Sequence, residues 1–155
     1  MPEIDPECLL PIVTGVQLNA ELGDRPLAYR IEAEMKRRLA ELLPPPGPAG
    51  GPPALVPVVV SDVFYLNSEP LRGRPTLSIG GPGVNAVSAS LVNDLPAAVA
   101  IENVLVVQMD LEMNDPRCAV WGMNHLDTVR AVELFIAKGY LETFLKGVVG
   151  KLNDR

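Results

Sequence analysis

Apolar residues recur along this chain at two different spacings, and the changes between them mark its elements. Residues 12–18 (Ile-Val-Thr-Gly-Val-Gln-Leu) are rich in β-branched types and predict a first strand, with Gly15 marking a bulge or close packing. Asp24 ahead of Arg25-Pro26 offers an N-cap acceptor and a proline suited to a first helical turn. Beyond it, Leu27, Ile31, Met35, Leu39 and Leu42 step by three and four residues, which predicts a helix with one apolar stripe running to about Leu43. Residues 44–57 are mostly proline and glycine. Such a segment can neither hold helical dihedrals nor donate enough backbone hydrogen bonds, so a surface loop is expected.

Val58-Val59-Val60 then reads as an interior parallel strand delivering Ser61 and Asp62 at its carboxyl end, and residues 76–79 as another. The turn Gly80-Gly81-Pro82-Gly83 joins that second run to a helix whose face carries Val84, Val87, Leu91 and Leu95 and which stops before Pro96. Residues 97–101 and 104–109 flank Glu102-Asn103 and predict a hairpin, followed by a strand at 118–122. A last helix is expected over 127–146, where Val129, Val132, Phe135, Leu141, Phe144 and Leu145 keep helical spacing and Gly139 introduces a bend. Helix-separated strands followed by hairpin strands imply a mixed, mainly parallel sheet with helices on both faces. The predicted fold is therefore a three-layer, Rossmann-like α/β domain spanning 1–155.

Composition narrows the partners. With 155 residues, 48% hydrophobic and 21% charged, the chain can bury one continuous core unaided. A net charge of −6 argues against a nucleic-acid partner, whose phosphates need clustered cations. The best cluster, Lys36-Arg37-Arg38, is interleaved with Glu32, Glu34 and Glu41 as on a solvated helix face. The opening residues are acidic where a secretory signal would be basic, and no apolar window approaches the roughly 20 residues of a membrane span, so a cytoplasmic protein away from membranes is expected. Cys8 and Cys118 belong to no metal or redox spacing and are expected as buried free thiols.

Three groups of residues are candidates for chemistry. Gly80, Gly81 and Gly83, with Asn85, open a helix and could present backbone N–H groups to an anionic small molecule. The motif is nevertheless neither GxGxxG nor a P-loop, because no Lys-Ser or Lys-Thr follows and Pro82 removes a donor. The alternative is a tight strand-to-helix connection that Asn85 caps or braces. Asp62 and Asp110 each follow an apolar strand, so both are expected at the carboxyl edge near the glycine turn, as a cation site, an acid/base pair or ordinary loop residues. Asn124 with Asp127 three residues on reads as a capping arrangement, with Asp127 or Thr128 as the alternative cap; His125, the only histidine and the one side chain with an ordinary pKa near neutrality, is a candidate ligand-site residue together with Asp127 and Thr128. Trp121, the only tryptophan, is expected in the core.

The pair Ile79-Gly80-Gly81-Pro82-Gly83-Val84-Asn85 and Trp121-Gly122-Met123-Asn124-His125-Leu126-Asp127-Thr128-Val129-Arg130-Ala131 resembles the GGPxxN and DTxxA signatures of Rossmann-like domains in archaeal S-layer and related cell-surface proteins. The resemblance covers about residues 76–136 and implies a non-catalytic module with a role in assembly. Together with the absence of a dense catalytic constellation, it sets the first expectation: a non-enzymatic protein acting as a homo-oligomer or docking a partner. The second is a domain binding a small ligand or nucleotide at the Gly80–Gly83 turn. The sequence names no cofactor for it.

Overall fold

In the computed structural model, which describes residues 5–43, 55–101 and 104–153, six strands build a single sheet. They are β1 (Leu9–Thr14), β2 (Val56–Ser61), β3 (Thr76–Ile79), β4 (Ala97–Ile101), β5 (Leu105–Met109) and β6 (Arg117–Gly122). Their spatial order is β2-β1-β3-β6-β5-β4. The first four in that order run parallel, whereas β5 is antiparallel to both β6 and β4. Helices α1 (Arg25–Leu42), α5 (His125–Ala137) and α6 (Tyr140–Asn153) cover one face; α2 (Asp62–Leu66), α3 (Glu69–Arg72) and α4 (Ala86–Leu91) cover the other. The fold is α/β, three-layered and Rossmann-like, with a mixed, mostly parallel sheet.

Side-chain alternation explains the layering. Along β1, Leu10 and Ile12 enter the α1/α5/α6 layer while Val13 enters the α2/α3/α4 layer. The predicted stripe of α1 is borne out: Leu27, Ala28, Ile31, Met35 and Leu39 are its buried residues. Phe135 and Phe144 meet that stripe fully buried. Truncating either to alanine removes about 3–5 kcal/mol of packing. Arg30 with Glu133 and Arg38 with Glu142 bridge α1 to α5 and α6, but these pairs are solvent-accessible and contribute at most about 1 kcal/mol each. Among the described residues, no helix is long and apolar enough to cross a membrane.

Several expected boundaries move. The first strand ends at Thr14 because a Cβ on Gly15 would lie 1.7 Å from the Val84 carbonyl oxygen; the chain passes the glycine turn there and leaves the sheet. Val16 and Leu18, which suggested a longer strand, are exposed. Asp24 does not cap α1: the helix is entered one turn earlier through a π-helical turn, Ala20–Asp24, and Asp24 already has helical dihedrals. Strand β2 is an edge strand and includes Pro57, opposite Leu10, since an outer edge tolerates a residue without an N–H. The expected loop at 44–57 therefore ends earlier; its residues 44–54 lie outside the described residues, as do Glu102 and Asn103 between the hairpin strands. The last predicted helix is two helices, separated at Gly139 with φ +84°.

Candidate functional site

Strand order reverses between β1 and β3. The segment after β1 leads into α1 on one face of the sheet, and the segment after β3 leads into α4 on the other. Their divergence opens a crevice at the carboxyl edge, the place where open α/β sheets take ligands. A cleft of about 680 Å³ lies there, lined by residues 19–20, 22–24, 81–84 and 121–125 and by Thr128. It contains neither lysine nor arginine.

The glycine turn forms one wall, and part of its hydrogen-bonding capacity is already engaged. Gly80 N–H donates to the Val120 carbonyl at 3.0 Å, and the N–H groups of Val84 and Asn85 both donate to the Gly81 carbonyl. Asn85 is 1% exposed and uses its whole amide. Its Nδ2 donates to the carbonyls of Val13 (3.1 Å) and Ile79 (2.9 Å), and its Oδ1 accepts from Val87 and Ser88 N–H. Asn85 thus clamps β1, β3 and α4 together, the bracing role that was one of its two expected readings. Asp62 completes the cap: it emerges at the carboxyl end of β2 as expected, and its Oδ2 accepts from Ala86 N–H while Oδ1 accepts from Val63 N–H, both at 2.8 Å. The N-terminus of α4 is closed by protein groups.

The opposite wall differs. Asp24 is 6% exposed, lines the cleft, and its carboxyl makes no hydrogen bond to any described residue. Its carboxyl rests on Gly80, where a Cβ would stand 2.5 Å from Oδ2 and where φ is +110°, so glycine is required there both by space and by conformation. Burial raises the Asp24 carboxyl to a pKa of about 6, with the His125 imidazole pulling it the other way. His125 lies against Gly23, whose Cβ would be 2.7 Å from Nδ1. Trp121 lies beside Gly81 and forms part of the lining, half-buried. Its indole N–H is enclosed without a hydrogen-bond partner among the described residues.

The helix start at α5 supplies the remaining edge. Asn124 Oδ1 accepts from Asp127 N–H, so Asn124 is the cap, and Thr128 Oγ1 accepts from Gly122 N–H, pinning β6 to α5. The carboxylate of Asp127 pairs with Arg130 rather than lining the cleft. Of the sequence candidates, Gly81, Gly83, His125 and Thr128 meet at the cleft; Gly80, Asn85, Asp62 and Asp127 buttress it from behind.

Asp110 is placed elsewhere. Because β5 runs antiparallel, its carboxyl end lies at the opposite edge of the sheet from the glycine turn, and the expected pairing with Asp62 does not form. There Asp110 accepts from the N–H groups of Glu112, Asn114 and Asp115 and organises its own loop. Cys118 is fully buried in the α1/α5/α6 layer, with its thiol pKa pushed far up by burial, so it offers no nucleophile to His125. Among the described residues, no group of three or more His, Cys, Asp or Glu is arranged to hold a metal ion. Asp24 and Trp121, read from sequence as a cap and a core residue, are cleft residues that sequence reasoning missed, as are Leu22 and Met123 of its apolar wall.

No protein-family model and no curated protein matches the sequence.

Proposed function

We propose that this chain is a small-ligand-binding Rossmann-like domain whose ligand occupies the cleft between the glycine turn and the start of α5. The observation that carries this reading is the coincidence of a 680 Å³ cleft with the point where strand order reverses. Its lining combines an apolar wall (Leu22, Val84, Trp121, Met123) with a few convergent polar groups (Asp24, His125, Thr128). Asp24 is also suited to acid/base work, since burial lifts its carboxyl to a pKa of about 6.

The single tryptophan supplies the test, because Trp121 is part of the lining. Titration with a panel of nucleosides, amino acids, amines, sugars and phosphorylated metabolites should give a saturable change in its fluorescence for at least one class. A Gly81→Val variant, whose branched side chain projects towards Trp121, should abolish that change. A silent panel would overturn the proposal, and so would a response untouched by Gly81→Val.

A second reading, a non-enzymatic homo-oligomer, is favoured by the cleft's rim. Leu22 and Met123 line the cleft yet are 72% and 65% exposed, and Leu18 and Leu126 on the same two segments are equally open to solvent. The S-layer resemblance supports self-association through such a surface. Size-exclusion chromatography with light scattering tests it: a dimer weakened by Leu22→Ser is expected, and a strict monomer at high concentration would count against it.

A further inference from the structure

The distribution of charge and unpaired groups within the cleft narrows what can bind there, on the assumption that it is a ligand site. A phosphate or carboxylate needs free N–H groups or cationic side chains. Around the glycine turn the N–H groups of Gly80, Val84 and Asn85 donate to backbone carbonyls, Pro82 has none to offer, and the first N–H groups of α4 are occupied by Asp62 and Asn85, which leaves the backbone N–H groups of Gly81, Gly83 and His125 as the cleft's uncharged donors. The lining holds no lysine or arginine. What the cleft does hold is the carboxyl group of Asp24, a residue only 6% exposed, without a hydrogen-bond donor among the described residues.

We infer that the cleft takes an organic cation, a ligand with an ammonium or amidinium head paired to the Asp24 carboxylate and an apolar body against Trp121 and Leu22. An ionised carboxylate buried without a partner is among the costliest arrangements in a protein, and a charge-assisted N–H···O bond is the strongest relief available to it. The indole ring of Trp121 favours the same class, because its face attracts cations more strongly than other aromatic side chains do. His125, packed against Gly23, stands beside this carboxyl and draws its pKa down against the effect of burial. An anionic ligand meets the reverse situation, the Asp24 carboxylate and a lining without lysine or arginine to offset it.

Three probes sharing one apolar body separate the possibilities: 2-phenylethylamine, 2-phenylethanol and phenylacetate. None is an indole, so Trp121 fluorescence excited at the red edge of its band and the amide resonances of Gly81, Met123 and His125 report occupancy without interference. The expected result is a saturable response to the amine, about tenfold tighter than to the alcohol, with phenylacetate weakest. Asp24→Asn, which removes a buried charge and should fold, should erase the amine's advantage while leaving the alcohol's affinity within about twofold.

If the alcohol or the acid binds at these residues as well as the amine, or if the preference survives Asp24→Asn, the cationic class is wrong and the cleft remains a ligand site of another kind. If none of the three gives a saturable response, the inference is overturned. The reading of the cleft as a ligand site falls with it only when the wider metabolite panel is silent too.

Discussion

Asn85 and Asp24 stand on either side of the glycine turn, are almost equally buried, and differ in one respect: every polar atom of Asn85 is hydrogen-bonded, and the Asp24 carboxyl has no hydrogen-bond partner among the described residues. Burial of a polar group costs several kcal/mol unless partners compensate. Asn85 therefore belongs to the fold, since its bonds are what join β1, β3 and α4. Asp24 adds nothing comparable to stability, and its position in the cleft is what the proposed ligand site rests on. Two polar residues about one turn are thus separated by bonding rather than by burial.

Breaking the satisfied side should produce the largest effect. Asn85→Ala leaves the Val13 and Ile79 carbonyls without their side-chain donor and α4 without its cap. A loss of about 3 kcal/mol is expected in urea or guanidinium denaturation. A loss below about 1 kcal/mol would mean that Asn85 is not the clamp described here.

Relieving the unsatisfied side should act in the opposite direction and depend on pH. Asp24 has a folded-state pKa of about 6, above the ordinary carboxylate value near 3.9, so the folded protein holds this proton more tightly than the unfolded chain does. Its contribution to stability is complete below about pH 4, falls as the pH rises towards 6, and stays low above that. Asp24→Asn has no such loss, so the variant should match the wild type near pH 4 and exceed it by about 2 kcal/mol at pH 8. Asp115, Glu34 and Glu133 have lowered pKa values from their arginine partners and lose stability as the pH falls. Only the difference between variant and wild type isolates Asp24. A difference that is flat with pH would show that the carboxyl is well solvated.

Asp62 is the intermediate case, a buried acid whose two oxygens each accept one backbone N–H. Asp62→Ala should cost about 1 kcal/mol, mostly from α4 losing the bond at Ala86. Equal losses for Asp62→Ala and Asp62→Asn would point to the charge as the contributing feature, and a smaller loss for Asn to the hydrogen bonds.

Why the sequence revealed some of this and not the rest follows from the range of the interactions. Local patterns announced α1 through its Leu27-Ile31-Met35-Leu39 stripe, the hairpin strands on either side of residues 102–103, and Asn124 as a helix cap, because each depends on neighbours within a few positions. The glycine turn was also legible as a strand-to-helix joint. Asp24 was not. Asp-Arg-Pro is a good capping sequence, and only the close approach of Gly80 and His125 from distant strand ends turns it into a cleft residue. Asp110 misleads for a related reason: an acid after an apolar strand looks the same whether the strand is parallel or antiparallel, and the strand's direction decides which edge it reaches. Trp121 reads as core because its strand is buried at Cys118, Ala119 and Val120, and nothing in that run marks where the cleft opens.

The smallest effect should come from the neighbouring glycine, and it sharpens the contrast between the two walls. Gly80 is fixed by a left-handed φ and by the Asp24 carboxyl, whereas a Cβ on Gly81 would meet only the Gly122 carbonyl oxygen and Trp121 Cε3, each at 3.6 Å, an ordinary van der Waals distance. Gly81→Ala therefore needs no backbone rearrangement. Its stability should stay within about 0.5 kcal/mol of the wild type, because the loss of unfolded-state freedom and the new contact offset any crowding. The added methyl lies against the indole, so Trp121 fluorescence should shift even though the fold does not loosen. A loss above about 1 kcal/mol would show that Gly81 is held by the fold as tightly as Gly80, and the wall beside Trp121 would then be a packing surface rather than room left for a ligand.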